Sequence, residues 1–173
     1  MLALLAAPAS HAQDKTFLVT DAGIGRLTAE TPYTVKGVSA ALGGLTVKPT
    51  TIYFRNIAIA ALEAMREGKR VLLAYKRPGG VDVARASVYA PESVTSTGVA
   101  IGTPMGEVFE QLPDPNCRNG LERQSGLVFC PAPNLENVRF AFRCNYETRG
   151  DALPPADVLA RCPLEHIIWI SNE

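Results

Sequence analysis

The stretch Ile57-Ala58-Ile59-Ala60-Ala61-Leu62-Glu63-Ala64-Met65, followed by Glu67-Gly68-Lys69 and then Arg70-Val71-Leu72-Leu73-Ala74-Tyr75-Lys76, decides the fold. Its first part has the composition of a good helix, rich in Ala, Leu, Glu and Met. It also fits the two-residue alternation of a strand, and the residues after Met65 tip the balance. Glu67-Gly68-Lys69 reads as a turn, and Arg70 to Lys76 reads as a return strand rich in Val, Leu and Tyr. The stretch is therefore expected to be the first arm of a hairpin.

Working outward, Pro78-Gly79-Gly80 makes the next turn, and Val81 to Ala90 alternates with Val81, Val83, Arg85, Ser87 and Tyr89 on one face. Upstream, Leu45 to Tyr53 looks extended, with Pro49 placing it at an edge or a bend. These segments form a meander. Before them, Phe17-Leu18-Val19 reads as a short strand and Asp21-Ala22-Gly23-Ile24-Gly25 as a loop. Thr31-Pro32 then predicts a helix start, with Thr31 as cap and Pro32 in the first turn. That helix carries Tyr33, Val35, Val38, Ala41 and Leu42 and stops at Gly43-Gly44.

The second half echoes the first. Gly98 to Gly102 is again a glycine loop, and Thr103-Pro104 again predicts a helix, through Val108, Phe109 and Leu112 to Pro113. The two Thr-Pro pairs lie 72 positions apart. Duplication is one reading, and the other is that Thr-Pro is simply a good helix opening. Strands are expected around 127–130, 138–144 and 165–171, with a helix from Pro155 through Val158 and Leu159. Ile167-Ile168-Trp169-Ile170 is apolar on both faces, as a central strand would be. The expected architecture is α+β: an antiparallel meander sheet with two or three short helices packed on it, in which two related half-units can be discerned.

The amino-terminal segment stands apart. Leu2 to Ala9 is an apolar run of signal-peptide length, and Ser10-His11-Ala12 puts small residues at the −3 and −1 positions of a cleavage site. No Lys or Arg precedes the run. Cleavage after Ala12 takes twelve of the 173 residues and leaves 161, which suits a single α+β domain over residues 13–173. No other run approaches the ~18 to 20 apolar residues that span a bilayer.

Lys plus Arg number 17 and Asp plus Glu number 17, so the chain carries no net field that would collect nucleic acid or an anionic membrane. The pairs Lys69-Arg70 and Lys76-Arg77 flank turns, where solvated hairpin ends explain them.

Cys117, Cys130, Cys144 and Cys162 all lie in the last third. An even count behind an export signal points to disulfides, and four cysteines allow three connectivities. Local geometry favours Cys117–Cys130, across a loop that turns at Asn119-Gly120 and Ser125-Gly126. It also favours Cys144–Cys162, since Cys144 shares the inward face of Val138, Phe140 and Phe142 and Cys162 precedes the final strand. No C-x-x-C spacing supports zinc or a redox pair.

No catalytic, cofactor or metal site emerges. Gly23-x-Gly25 lacks the third glycine and the adjoining helix of a dinucleotide fingerprint. No G-x-S-x-G or H-E-x-x-H is present. His166 sits on the face of Ile168 and Ile170, where a packed histidine is expected. Asp14, Asp21, Glu30, Asp82 and Glu107 are scattered, and only a carboxylate pair assembled by the fold could form a hidden active site.

The arrangement of Gly23-Ile24-Gly25 with Thr31-Pro32-Tyr33, and of Ile101-Gly102-Thr103-Pro104 before a Glu/Val/Phe segment, resembles the bacterial RpoE-regulated lipoprotein family, a domain of unknown function. The resemblance runs from about Thr20 to the last cysteines. It implies an α+β domain in a Gram-negative envelope and brings no catalytic residues. The sequence departs from the family in having no lipobox cysteine near Ala12, which argues for a free periplasmic form over a lipid anchor. The expected role is noncatalytic: a binding or envelope-stress protein that contacts a periplasmic protein or a cell-wall component. The rival readings are a small envelope-polymer hydrolase using carboxylates and a secreted enzyme inhibitor presenting the Cys117–Cys130 loop.

Overall fold

The computed structural model describes residues 16–54, 57–146 and 152–172. The segment 1–12 expected to be a signal peptide, the expected cleavage after Ala12, and Asp14 lie outside the described residues. In chain order the strands are β1 (Leu18–Thr20), β2 (Gly23–Ile24), β3 (Leu27–Thr28), β4 (Thr46–Phe54), β5 (Ile57–Arg66), β6 (Lys69–Lys76), β7 (Val83–Val88), β8 (Val94–Thr95), β9 (Arg118–Asn119), β10 (Leu127–Pro131), β11 (Val138–Arg143) and β12 (Leu164–Ile170). The helices are α1 (Val35–Ala41), α2 (Met105–Val108) and α3 (Ala156–Leu159), with a 3-10 turn at Glu122–Gln124.

The hairpin expected from residues 57–76 forms. Glu67 and Gly68 make a two-residue loop between β5 and β6 with φ of 51° and 77°. Two positive φ values match the right-handed twist of the flanking strands, and glycine at the second position adopts one without strain. The preceding strand holds Pro49 at the sheet edge, where no ladder donor is lost on its outer side.

Eight strands run antiparallel in the order β4-β5-β6-β7-β12-β11-β10-β9. The order is a palindrome of the two halves: each half contributes four strands, and the halves meet where β7 pairs with β12 through Val88–Ile167, Ser87–Ile168, Ala86–Trp169 and Arg85–Ile170. The strand expected at the centre is at the centre. A four-stranded sheet, β3-β2-β1-β8, packs against one face, and within it β1 and β8 run parallel.

The Thr-Pro pairs do something other than start helices. Tyr33 N–H donates to the Val81 carbonyl and Val83 N–H to the Thr31 carbonyl; Met105 N–H donates to the Cys162 carbonyl and Leu164 N–H to the Thr103 carbonyl. Each Thr-Pro thus bridges to the residue just before a central strand, Pro32 to Asp82 and Pro104 to Pro163. The half-unit echo is real in the backbone, but the predicted caps are displaced. Thr34, not Thr31, caps α1, its hydroxyl accepting from Gly37 N–H at 3.0 Å. The second expected helix is one turn, Met105–Val108, because Phe109 is already extended, with φ −118° and ψ 128°.

Trp169, Phe140, Phe142 and Leu72 from the large sheet meet Val19, Ile24 and Leu27 from the small one, with Val38, Met105 and Leu159 supplied by the three helices. Each such side chain contributes about 2 kcal/mol by leaving water. The Asp21 turn clamps the two sheets: its carbonyl accepts from Trp169 Nε1 at 2.9 Å and Asn137 Nδ2 at 3.0 Å, and its carboxylate accepts from Asn137 N–H at 2.9 Å. Gly23 permits that turn to close, since a Cβ there would lie 2.0 Å from the Leu27 carbonyl oxygen.

The cystines are Cys117–Cys130 and Cys144–Cys162. The first ties the start of β9 to β10, and the second ties the end of β11 to the start of β12. Replacing Cys144 and Cys162 together by serine is expected to lower unfolding free energy by about 3 kcal/mol, from the freed loop entropy of the unfolded chain. Urea unfolding of the variant beside the parent protein checks this.

Candidate functional site, the open face of the large sheet

Among the described residues, the small sheet and all three helices pack on one face of the eight-stranded sheet. The opposite face carries a small apolar cluster of its own, made by Leu127, Phe129, Ala141 and Ile168, and also buries Ala61, Glu63, Leu73, Ser87 and His166. Strand alternation assigns its residues. One row runs Lys48, Glu63, Leu73, Ser87, Ile168, Arg139, Pro131 across seven strands, each paired with the next. A neighbouring row runs Tyr75, Arg85, Ile170. On the other side, His166 pairs with Ala141, which pairs with Phe129, which pairs with Arg118.

The face expected from residues 81–89 is confirmed for Arg85, Ser87 and Tyr89 and corrected for the two valines. A bulge between Tyr75 and Lys76 turns Val83 into the core, and Val81 lies outside the strand, 75% exposed.

Aromatic and charged groups knit this face together. The Tyr89 and His166 rings lie 4.8 Å apart, and Phe129 meets His166 edge-on at 6.3 Å. The Arg85 guanidinium sits 5.5 Å from the centre of the Tyr75 ring. Burial pushes the Tyr89 hydroxyl up to about 12 and raises Tyr75 as well. Both phenols therefore stay neutral donors at physiological pH.

The two carboxyls on the face are both held by arginine. Glu63, almost fully buried, accepts from Arg70 Nε at 2.5 Å and pairs with Lys48 at 3.4 Å. The Arg70 hydrogen bond keeps its carboxyl below the ordinary value against the opposing effect of burial. Glu165 is flanked by His166, whose Nδ1 lies 3.7 Å away, and takes a forked pair of hydrogen bonds from Arg143. His166 and then Arg143 bring its carboxyl down to about 2. The imidazole Nδ1, 3.7 Å from that carboxyl, has no other polar partner among the described residues.

Both carboxyls are engaged in ion pairs with arginine. A general acid for glycoside cleavage needs a raised pKa, and both groups move the other way. The other acidic residues named from the sequence do not converge. Asp21 holds the inter-sheet clamp, Glu30 accepts from the Thr28 hydroxyl at 3.0 Å, Asp82 bridges to Pro32, and Glu107 lies in α2. Gly23 falls in β2 and Gly25 in the turn after it, well before α1 begins. The Cys117–Cys130 segment is folded back by the pairing of β9 with β10.

Sequence alternation places Arg85, Ser87, Tyr89 and His166 on strand faces but does not bring them together with Tyr75, Arg139 and Arg118. A row of register pairs across seven strands joins residues up to 120 positions apart, from Lys48 to Ile168, and no local signal carries that.

An antiparallel sheet with short helices and a small second sheet on one side, and aromatic and arginine side chains on the other, defines an α+β protein. The chain belongs to the family described as protein of unknown function (DUF1131), whose model matches residues 6–171. It is 24% identical over 151 residues to the uncharacterized protein YfeY of Escherichia coli (strain K12), covering 87% of this chain and 78% of that protein. The crystal structure of yfeY from Escherichia coli shares the fold, with a TM-score of 0.72 over 88% of this chain and 98% of that one, at 24% identity.

The Glu165 carboxyl makes a pH prediction. Its folded pKa of about 2 lies below the ordinary 4.5, so its ionised form stabilises the fold above pH 4.5 and that contribution is lost as pH falls toward 2. Glu165→Gln is expected to be less stable than the parent at neutral pH, with the difference closing near pH 2. Urea midpoints of both proteins across that range measure it; a difference independent of pH would contradict the assignment.

Proposed function

We propose that this is an exported, noncatalytic binding protein of the periplasm, and that the open face of its large sheet docks another envelope component. The observation that carries this is a sheet face on which neither the described helices nor the small sheet pack, bearing Tyr75, Arg85, Tyr89, Phe129 and Ile170. Tyrosine, phenylalanine and arginine are the side chains enriched at protein contact surfaces, because they offer large area at small entropic cost. Ordinarily the water-facing side of an antiparallel sheet carries polar residues. Here Leu73 and Ile168 lie on that side, and both are buried.

Export is supported by the apolar segment 2–9 with its small-residue site at Ser10-His11-Ala12, and by two cystines, which persist in oxidising compartments. No described helix is long and apolar enough to cross a membrane. Residues 13–173 act as one α+β domain in this reading, and the resemblance to an envelope family agrees with it. The hydrolase reading is weakened by the arginine-bound state of Glu63 and Glu165.

A photocrosslinking amino acid at Ile170, on the open face, is expected to trap a partner in periplasmic extract, whereas the same group at Lys36 on α1 is not. Equal trapping at both positions, or turnover of a wall-derived polymer by the purified protein, would sink the proposal.

A further inference from the structure

The neutral total of 17 basic and 17 acidic residues conceals an uneven distribution. Strand positions of the open face hold six basic residues, Lys48, Arg70, Arg85, Arg118, Arg139 and Arg143, against two acidic ones, Glu63 and Glu165. The face carries four positive charges in excess, so the rest of the chain is correspondingly acidic. We infer that the open face receives an acidic protein surface. This rests on the reading that the face is a docking surface, and it names the chemistry of what docks.

Three of the arginines have no carboxylate partner among the described residues, and each is held in place by neutral groups. Arg85 lies over Tyr75, 5.5 Å from the ring centre. Arg118 donates to the Pro115 and Cys117 carbonyls, both at 2.7 Å. Arg139 donates to the Glu136 and Val138 carbonyls, both at 3.0 Å. Guanidiniums fixed this way lose little further freedom on meeting carboxylates, and their planar fork suits two-point contact.

Lys48 on β4 and Arg118 on β9 lie on the two outermost strands, with Arg70, Arg85, Arg139 and Arg143 on strands between them. Basic side chains on this many strands suit a macromolecule better than a small anion. Beyond Thr50 and Ala61 the same alternation continues into Ile52, Phe54, Ile57 and Ile59. Of these, Phe54, Ile57 and Ile59 are exposed. A basic field beside an apolar patch matches a protein with an acidic and partly apolar surface. A nucleic-acid track is a poorer match, since Glu63 and Glu165 would stand among the phosphates. A bilayer is also a poorer match, since Leu73 and Ile168 are buried within the face and do not project from it.

The test uses the full chain with poly-L-glutamate as the acidic probe, heparin and phosphatidylglycerol vesicles as the other anions, and the Ile170 crosslinking protein alongside. Poly-L-glutamate is expected to bind and to weaken about tenfold between about 50 and about 300 mM salt. Arg85→Glu with Arg139→Glu should weaken it about tenfold again. Lys36→Glu, on the covered side, should leave it unchanged, and circular dichroism confirms that both variants fold. The inference is overturned if poly-L-glutamate fails to bind, if Lys36→Glu weakens it equally, or if only heparin or vesicles bind. Trapping at Ile170 that ignores salt and charge reversal would overturn the acidic partner and leave the docking face standing; no trapping at Ile170 ends both.

Discussion

The pairing of β7 with β12 is the constraint on which everything else depends. It joins the last strand of the first half to the last strand of the second, and without it two four-stranded meanders would each expose an edge. Unpaired central edges are costly in hydrogen bonds and invite aggregation. Once Ala86 faces Trp169 and Val88 faces Ile167, the inward side chains of both halves lie on one surface. The short helices and the small sheet then have a single place to pack. The Asp21 clamp onto Trp169 and Asn137 finishes the arrangement.

The same pairing creates the open face. Because successive residues point to opposite sides, fixing Ala86 and Val88 inward fixes Arg85, Ser87 and Tyr89 outward. Ile168 and Ile170 do the same on β12, and the register carries the pattern to Tyr75 on one side and Arg139 on the other. An outward surface with arginines braced by tyrosine and by carbonyls is thus a consequence of how the core is aligned. Both disulfides lie in the second half, so the first half is held by the ladder, the core and the Asp21 clamp.

Much of this was legible residue by residue. The Glu67-Gly68 turn and the central Ile167–Ile170 could be read because each is a local signal of turn chemistry or alternation; Pro49 left an edge or a bend open, and spacing gave a preference among three cystine connectivities without choosing one. The Thr-Pro repeat was visible too, but its role was misread. Helix-start chemistry at Thr31-Pro32 competes with a backbone bridge to Asp82, and tertiary pairing won, leaving Thr34 to cap. The open face was hidden for a different reason. Ile168 and Leu127 look like core residues on any local measure, and alternation tells which residues share a face without telling which face is covered. Only the positions of the helices decide that.

Native-state hydrogen exchange tests the central ladder most directly. Amides of Ala86 to Val88 and Ile167 to Trp169 are expected to exchange slowest, with protection falling outward toward β4 and β9 alike. Exchange in which the disulfide-linked β10 to β12 stays protected while β5 to β7 opens as a separate, much weaker unit would contradict it.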